Sequence, residues 1–263
     1  MENYPYYPSS VKKEITYPGD IKRGRRGPKA KRVQEWLSFH DFKTSTDGDF
    51  GPATELCVRD FQKENKINET GIVNQITWEA LVKPMTDVLT DLHPIEGTTA
   101  PQNVLNFAKQ HLKAHPVEIG GQNSGPWVRM YMNGNEGNQW PWCAGFVTFV
   151  MEQAYASLGR KMPIKGSFSC DNLANQAIKE GLFVKGTDII KEKIKWEDMP
   201  ECWLFLNRKT STDWTHTGFG FSGHGEVFRT IEGNTNDEGS REGYEVCQRT
   251  RNNKNRDYIR LPD

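Results

Sequence analysis

A thiol, an imidazole and a carboxylate in this chain are spaced so that they could work together as a hydrolytic centre. The segment Pro141-Trp142-Cys143-Ala144-Gly145-Phe146-Val147 leads a proline and an aromatic residue up to a cysteine that opens an apolar run. That is the pattern of the first turn of a buried helix. Unpaired N–H groups and partial positive charge at a helix start favour thiolate, the nucleophilic form of cysteine. A cysteine in an apolar run is also an ordinary core residue, so a catalytic Cys143 requires a base nearby. The segment from Thr215 to Glu232 reads as a hairpin around Ser222-Gly223-His224-Gly225. In it Phe219, Phe221, Val227 and Ile231 take core-facing positions, while His216, Gly218, Gly220 and Glu232 share the other face. Pairing Phe221 with Val227 sets His216 opposite Glu232, where a carboxylate can orient an imidazole. Asn234 extends the same polar face. His224, the competing base, falls in the expected turn, roughly 25 Å along the strand from His216. His40, His93, His111 and His115 are scattered and no pair has HExxH spacing, so no metal ligand set is expected.

The elements that must hold these residues are legible from apolar spacing. Val104, Leu105, Ala108 and Leu112 recur at helical spacing, a glycine- and asparagine-rich loop runs from Gly120 to Asn138, and an apolar segment spans Cys143 to Met151. Trp140 and Trp142 flank the cysteine as candidate walls of a substrate cleft, with core packing an equal reading for Trp142. Trp203 to Leu206, Thr215 to Phe221 and Glu226 to Ile231 are β-rich stretches separated by turn residues. Helices followed by an antiparallel sheet make an α+β layout. The front of the chain differs. Stripes at Val33, Trp36 and Leu37, at Leu56, Val58 and Phe61, and at Ile76, Trp78 and Leu81 predict three short helices, the last stopped by Pro84. The expected division is an extended arm over 1–20, a helical domain over 21–84, a linker over 85–100 and an α+β domain over 101–263.

A chain of 263 residues, 35% hydrophobic and 26% charged, can build two cores. Lys plus Arg number 34, as do Asp plus Glu, so only local charge patches bear on partners. The basic run from Lys22 to Lys29 lacks the aromatic interleaving of a nucleic-acid site. No stretch approaches the apolar length of a membrane span or a secretory signal, so synthesis in the cytoplasm without a signal peptide, and no stable membrane insertion, are expected. Five cysteines, Cys57, Cys143, Cys170, Cys202 and Cys247, fit neither a disulfide framework nor a zinc site. All except Cys143 are expected to be replaceable by alanine.

From about Gly120 to Asn236 the chain resembles the CHAP family, cysteine- and histidine-dependent amidohydrolases and peptidases of papain-like fold that cut peptidoglycan. The resemblance runs through Gly120-Gly121-Gln122-Asn123, Pro141-Trp142-Cys143-Ala144, Phe146-Val147, Pro200-Glu201, His216-Thr217-Gly218 and Ile231-Glu232-Gly233-Asn234-Thr235-Asn236. It implies Cys143 as nucleophile, His216 as general base, Glu232 as the residue orienting the histidine and Asn234 as polar support, with Asn123 on the substrate side and no cofactor. Asn207 to Asp213 form a longer insertion before the histidine than the family has, and Thr215 stands where a glycine is common.

The front segment, Gly24 to Pro84, resembles the three-helix peptidoglycan-binding domain of wall hydrolases. The residues that carry this are Val33-Gln34, Leu37, the block Asp47-Gly48-Asp49-Phe50-Gly51-Pro52-Ala53-Thr54, Phe61-Gln62, Thr70-Gly71-Ile72-Val73 and Thr77-Trp78. Together the resemblances imply two domains, a small all-α three-helix wall-binding domain followed by an α+β papain-like domain with an antiparallel sheet. The implied activity is hydrolysis of a peptidoglycan amide, either N-acetylmuramoyl-L-alanine or a stem-peptide bond. Two settings fit: a phage endolysin released through a holin, or an effector toxin delivered to the wall by a secretion machine and countered by an immunity protein. Two alternatives are a wall-binding protein with a degenerate hydrolase domain and an intracellular cysteine peptidase.

Overall fold

The computed structural model describes residues 7–90, 92–236 and 243–263. The helices are α1 (Ser9–Ile15), α2 (Pro28–Phe39), α3 (Pro52–Glu64), α4 (Gln75–Val88), α5 (Ala100–Ala114), α6 (Pro126–Tyr131), α7 (Cys143–Ser157), α8 (Cys170–Lys179) and α9 (Gly186–Ile190). The strands are β1 (Phe183–Val184), β2 (Trp203–Arg208), β3 (Trp214–His224), β4 (Val227–Thr235), β5 (Glu245–Asn252) and β6 (Arg256–Arg260). They divide into two units. The first takes the chain up to Thr90 together with Val117–Trp140, and the second takes Asp91–Pro116 together with Pro141–Asp263. The segment 117–140, expected to run on with the α+β domain, thus belongs with the helical front.

In the first unit Val33, Trp36, Leu37, Val58, Phe61, Trp78 and Leu81 are fully or almost fully buried. Two members of the expected stripes are not. Leu56 and Ile76 are 59% and 63% exposed, because each lies two residues before a buried position and so about 200° around the helix from it. α4 does not stop at Pro84 but runs through it to Val88, burying Met85 and Val88. A proline inside a helix costs about 3 kcal/mol, and burying two such side chains returns roughly 1.5–3 kcal/mol each. The expected extended arm is also partly helical. α1 buries Val11 and Glu14, while the arm's first six residues lie outside the described ones.

The unit contains one device used twice. The Gln34 amide donates to Asp47 Oδ1 and the Asp49 carbonyl and accepts from the Gly48 N–H at 2.7 Å. The Gln62 amide donates to the Ile72 carbonyl and Thr77 Oγ1 and accepts from the Gly71 N–H at 2.9 Å. Each glutamine pins the turn that starts the next helix, and Gly48 and Gly71 both have positive φ. The 117–140 segment contributes Arg129, which donates to both carboxylate oxygens of Glu14, to both of Glu35 and to Glu136. Trp127 packs edge-on against Trp36 with ring centroids 6.1 Å apart.

The second unit is built on a six-stranded sheet in the order β1-β6-β2-β3-β4-β5, with every described pair antiparallel. β1, β5, β6, α8 and α9 escaped sequence reading. α7 is buried on nearly every side, as expected of a helix apolar all round; it packs on α5 and on β3 and β4, with Phe146 edge-on to Phe219 at 5.7 Å. The opposite sheet face, expected to be a polar site face, is filled by a second cluster of Val184, Ile189, Met199, Trp203, Phe205, Phe228 and Tyr258. Gly218 and Gly220 serve this cluster. A Cβ at Gly220 would meet Trp203 Nε1 at 2.2 Å, and one at Gly218 would meet Phe205 and Glu232 at 2.8 Å.

The hairpin register also differs from expectation. Phe219 pairs with Ile231 and Phe221 with Arg229, not with Val227. His224 ends β3, pairing with Val227 beyond an irregularity that leaves Val227 exposed and buries Phe228. The slip is two residues, which preserves side-chain parity, so His216 and Glu232 still share a face.

Candidate active site

Cys143 is the first residue of α7, following Trp142 at its N-cap. Its backbone N–H is therefore among those a helix leaves unpaired. Asn234 sets the entry to that turn. It has φ 54, and its Oδ1 accepts from the Trp142 N–H at 2.8 Å while its Nδ2 donates to the Gly243 carbonyl at 2.7 Å. The residue expected to extend the histidine's polar face instead holds the backbone that presents the cysteine.

His216 lies on β3 and Glu232 on β4, with His216 Nε2 2.8 Å from Glu232 Oε2. That contact occupies Nε2 and leaves Nδ1 as the other ring nitrogen, and Cys143 lies close enough to raise the histidine's pKa together with Glu232. Glu232 is fully buried. Arg251 on β5 braces it, Nε donating to Oε1 at 2.8 Å and Nη2 to Oε2 at 2.6 Å, and Thr230 Oγ1 donates to Oε1. A paired, bidentate carboxylate is what makes burial of that charge tolerable.

A second thiol completes the group. Cys170 opens α8 behind a Ser169 cap, and its Sγ lies 3.9 Å from that of Cys143. Two sets of bonds hold it there. Asp171 Oδ1 accepts from the Trp214 N–H at 2.7 Å, and Ser167 exchanges hydrogen bonds with Thr148 of α7.

The electrostatics favour an ion pair. The hydrogen bond with Cys170 lowers the Cys143 thiol well below its ordinary range; burial opposes this, and the hydrogen bond and charge of His216, with the Thr217 backbone, add to the lowering. Cys170 is pushed well above its ordinary value by the same contact and by burial. Burial alone would lower His216, but its hydrogen bonds to Cys143 and Glu232 and their charges raise it to about 9. Burial would likewise raise Glu232, yet Arg251 and His216 hold it well below the usual carboxylate range. The arrangement suits a thiolate nucleophile paired with an imidazolium that can release a proton.

The remaining expected site residues are placed differently. Trp142 is fully buried and packs in the core, where a Cβ on Gly233 would meet its ring at 2.7 Å. Asn123 and Trp140 belong to the first unit. Asn123 is buried with φ 48, donating from Nδ2 to the Asn138 carbonyl and from its N–H to Glu118, so its amide orders its own loop. Arg251, Thr230 and Cys170 were missed. Arg251 sits in a strand without apolar alternation, whereas the Ser169 cap before Cys170 and Asp171 was a readable helix start. Among the described residues, no group of three or more His, Cys, Asp or Glu could hold a metal ion, and no helix is long and apolar enough to cross a membrane.

Residues 26–81 match the family described as a putative peptidoglycan binding domain. No curated protein matches the chain. Similar solved structures include a peptidoglycan-binding protein from Clostridioides difficile in complex with glutamine hydroxamate, 28% identical over 26% of this chain and 41% of that one, with a TM-score of 0.24. The SleB N-terminal domain is 29% identical over 26% of this chain and 93% of its own, with a TM-score of 0.25. A fused Zn-dependent amidase/peptidase/peptidoglycan-binding domain-containing protein from Clostridium acetobutylicum is 28% identical over 37% and 45%, with a TM-score of 0.25. The first and third of these matches span less than half of the solved protein. The chain thus carries a peptidoglycan-binding domain in its helical front, followed by an α+β part built on an antiparallel sheet.

Proposed function

We propose that this protein is a cysteine-dependent peptidoglycan hydrolase of the CHAP type, its α+β part of papain-like character. The observation that carries the reading is the Cys143–His216–Glu232 arrangement at a helix start, on the same chain as a peptidoglycan-binding domain. The Cys143 thiolate attacks the carbonyl carbon of a wall-peptide amide, and the oxyanion forms beside the Cys143 N–H at the first turn of α7. His216 hands its proton to the departing amine, then takes one from the water that hydrolyses the thioester. Glu232, fixed by Arg251, keeps the imidazole turned toward the thiol. The amide is the N-acetylmuramoyl-L-alanine bond or one within the stem peptide, and the setting is that of a phage endolysin or an interbacterial effector.

The test is digestion of purified sacculi with mass analysis of the released fragments, wild type beside Cys143→Ala. Soluble muropeptides from wild type alone are expected, and the new termini name the bond. A folded Cys143→Ala protein that digests as well as wild type would remove Cys143 as nucleophile. Binding to sacculi without release by the wild-type protein would favour a wall-binding protein with an inactive hydrolase domain.

A further inference from the structure

Cys170 has no part in the hydrolysis written above, yet its sulfur lies against that of the nucleophile. Both thiols stand on first residues of helices, both belong to the second unit, and neither is in a disulfide. Their sulfurs are 3.9 Å apart. The two sulfurs are in direct contact, and a disulfide requires them to close to about 2.05 Å. Cys143 and Cys170 keep 5% and 8% of their surface exposed, and Phe168 and Ser169 immediately before Cys170 are exposed. Of the other cysteines, Cys57 lies in the other unit and Cys202 donates to the carbonyl of Trp203.

We propose that Cys143 and Cys170 form a reversible redox pair, in which a peroxide oxidises Cys143 and Cys170 resolves it to an intramolecular disulfide that masks the thiol. The Cys143 thiolate attacks one peroxide oxygen, forming an S–O bond as the O–O bond breaks. The departing hydroxide takes the proton from the His216 imidazolium and leaves as water. Cys170 sulfur then attacks the Cys143 sulfenic sulfur; the S–O bond breaks, and the hydroxyl takes the Cys170 proton as a second water. Two thiols lose two electrons, which one peroxide accepts. The asymmetry of the pair suits this order, since a thiolate is the form that attacks peroxide and the protonated partner waits until the sulfenic acid exists. Disulfide formation also stops oxidation short of the irreversible sulfinic acid. The chemistry stands without the hydrolase reading; only the consequence, a masked nucleophile, rests on it.

The test uses the full chain and a readout that is not activity. The protein is treated with one to a few equivalents of hydrogen peroxide, remaining thiols are blocked with N-ethylmaleimide, and a non-reducing digest is mapped by mass spectrometry. A linked peptide joining Cys143 to Cys170 is expected, with loss of iodoacetamide labelling at both and recovery of labelling by dithiothreitol. In Cys170→Ser, dimedone should capture Cys143 as the sulfenic acid, and dithiothreitol should fail to restore labelling after longer exposure. Wild-type protein that accumulates the dimedone adduct without the linked peptide, or that cannot be relabelled after reduction, overturns the proposal even if the variant does not fold. Protein that forms the linked peptide on oxidation but fails to digest sacculi when fully reduced would count against the hydrolase reading alone.

Discussion

Replacing Arg251 by methionine tests the charge balance on which the site depends. Glu232 is fully buried and keeps its charge because two cations and a hydroxyl face it. The variant keeps the aliphatic bulk, removes two hydrogen bonds of 2.8 and 2.6 Å, and leaves the carboxylate with His216 and Thr230. Breaking a buried pair by removing one partner costs about 3–5 kcal/mol. The remaining imidazolium offsets part of this, so a loss of about 3 kcal/mol at neutral pH is expected by urea denaturation. Glu232→Gln alone should also destabilise, and the double variant should lose less than the two single losses added, with a coupling of about 1–3 kcal/mol. The pH dependence has a fixed sign. Glu232 is depressed in the folded protein, so its contribution is present above its unfolded value near 4.3 and is lost as pH falls through the folded one. The penalty of Arg251→Met should therefore shrink in acid. A loss below about 1 kcal/mol, or strict additivity in the double variant, would refute the claim that Arg251 neutralises Glu232.

His216→Ala should lower kcat/KM on a soluble muropeptide by several orders of magnitude while His224→Ala leaves it nearly unchanged, and Glu232→Gln should fall between them. Iodoacetamide labelling of Cys143 followed against pH should remain fast well below the range of an ordinary thiol, because its pKa is lowered. His216→Ala should move the onset upward. Hydrolysis should fade as pH rises through about 9, where His216 loses the proton that the leaving amine needs. A fragment of residues 101–263 should be soluble only poorly: it keeps Trp127 and Arg129 but lacks Trp36, Glu14 and Glu35, which pack and pair with them. Size-exclusion chromatography showing a well-behaved monomer would contradict this.

Much of the site was legible because its signals are local. A helix start after Pro141-Trp142 and strand parity around Phe219 and Ile231 are set by neighbours a few residues away, so Cys143, His216 and Glu232 could be named. Parity survived even though the register did not, since a two-residue slip moves partners without turning faces. What escaped depends on contacts distant in sequence. Arg251 reaches Glu232 from a strand with no apolar alternation, and Cys170 meets Cys143 from 27 positions along the chain. Asn234 was named for one task and does another because its left-handed φ and the fold of α7 aim its amide at the Trp142 N–H. The glycines at 218 and 220 read as an open polar face, where they make room for aromatic rings from β2.

The return of 117–140 to the first unit sets a timetable for the nascent chain. Glu35 and its partner Arg129 are separated by 94 positions. At ribosomal speeds of about 5–20 residues per second, Glu35 is made roughly 5–20 s before the arginine that will neutralise it. During that interval α5, a piece of the other unit, emerges ahead of the α7 helix against which it will lie. Neither unit can be finished before the other is begun, so a pause in translation between residues 90 and 140 exposes two incomplete cores at once.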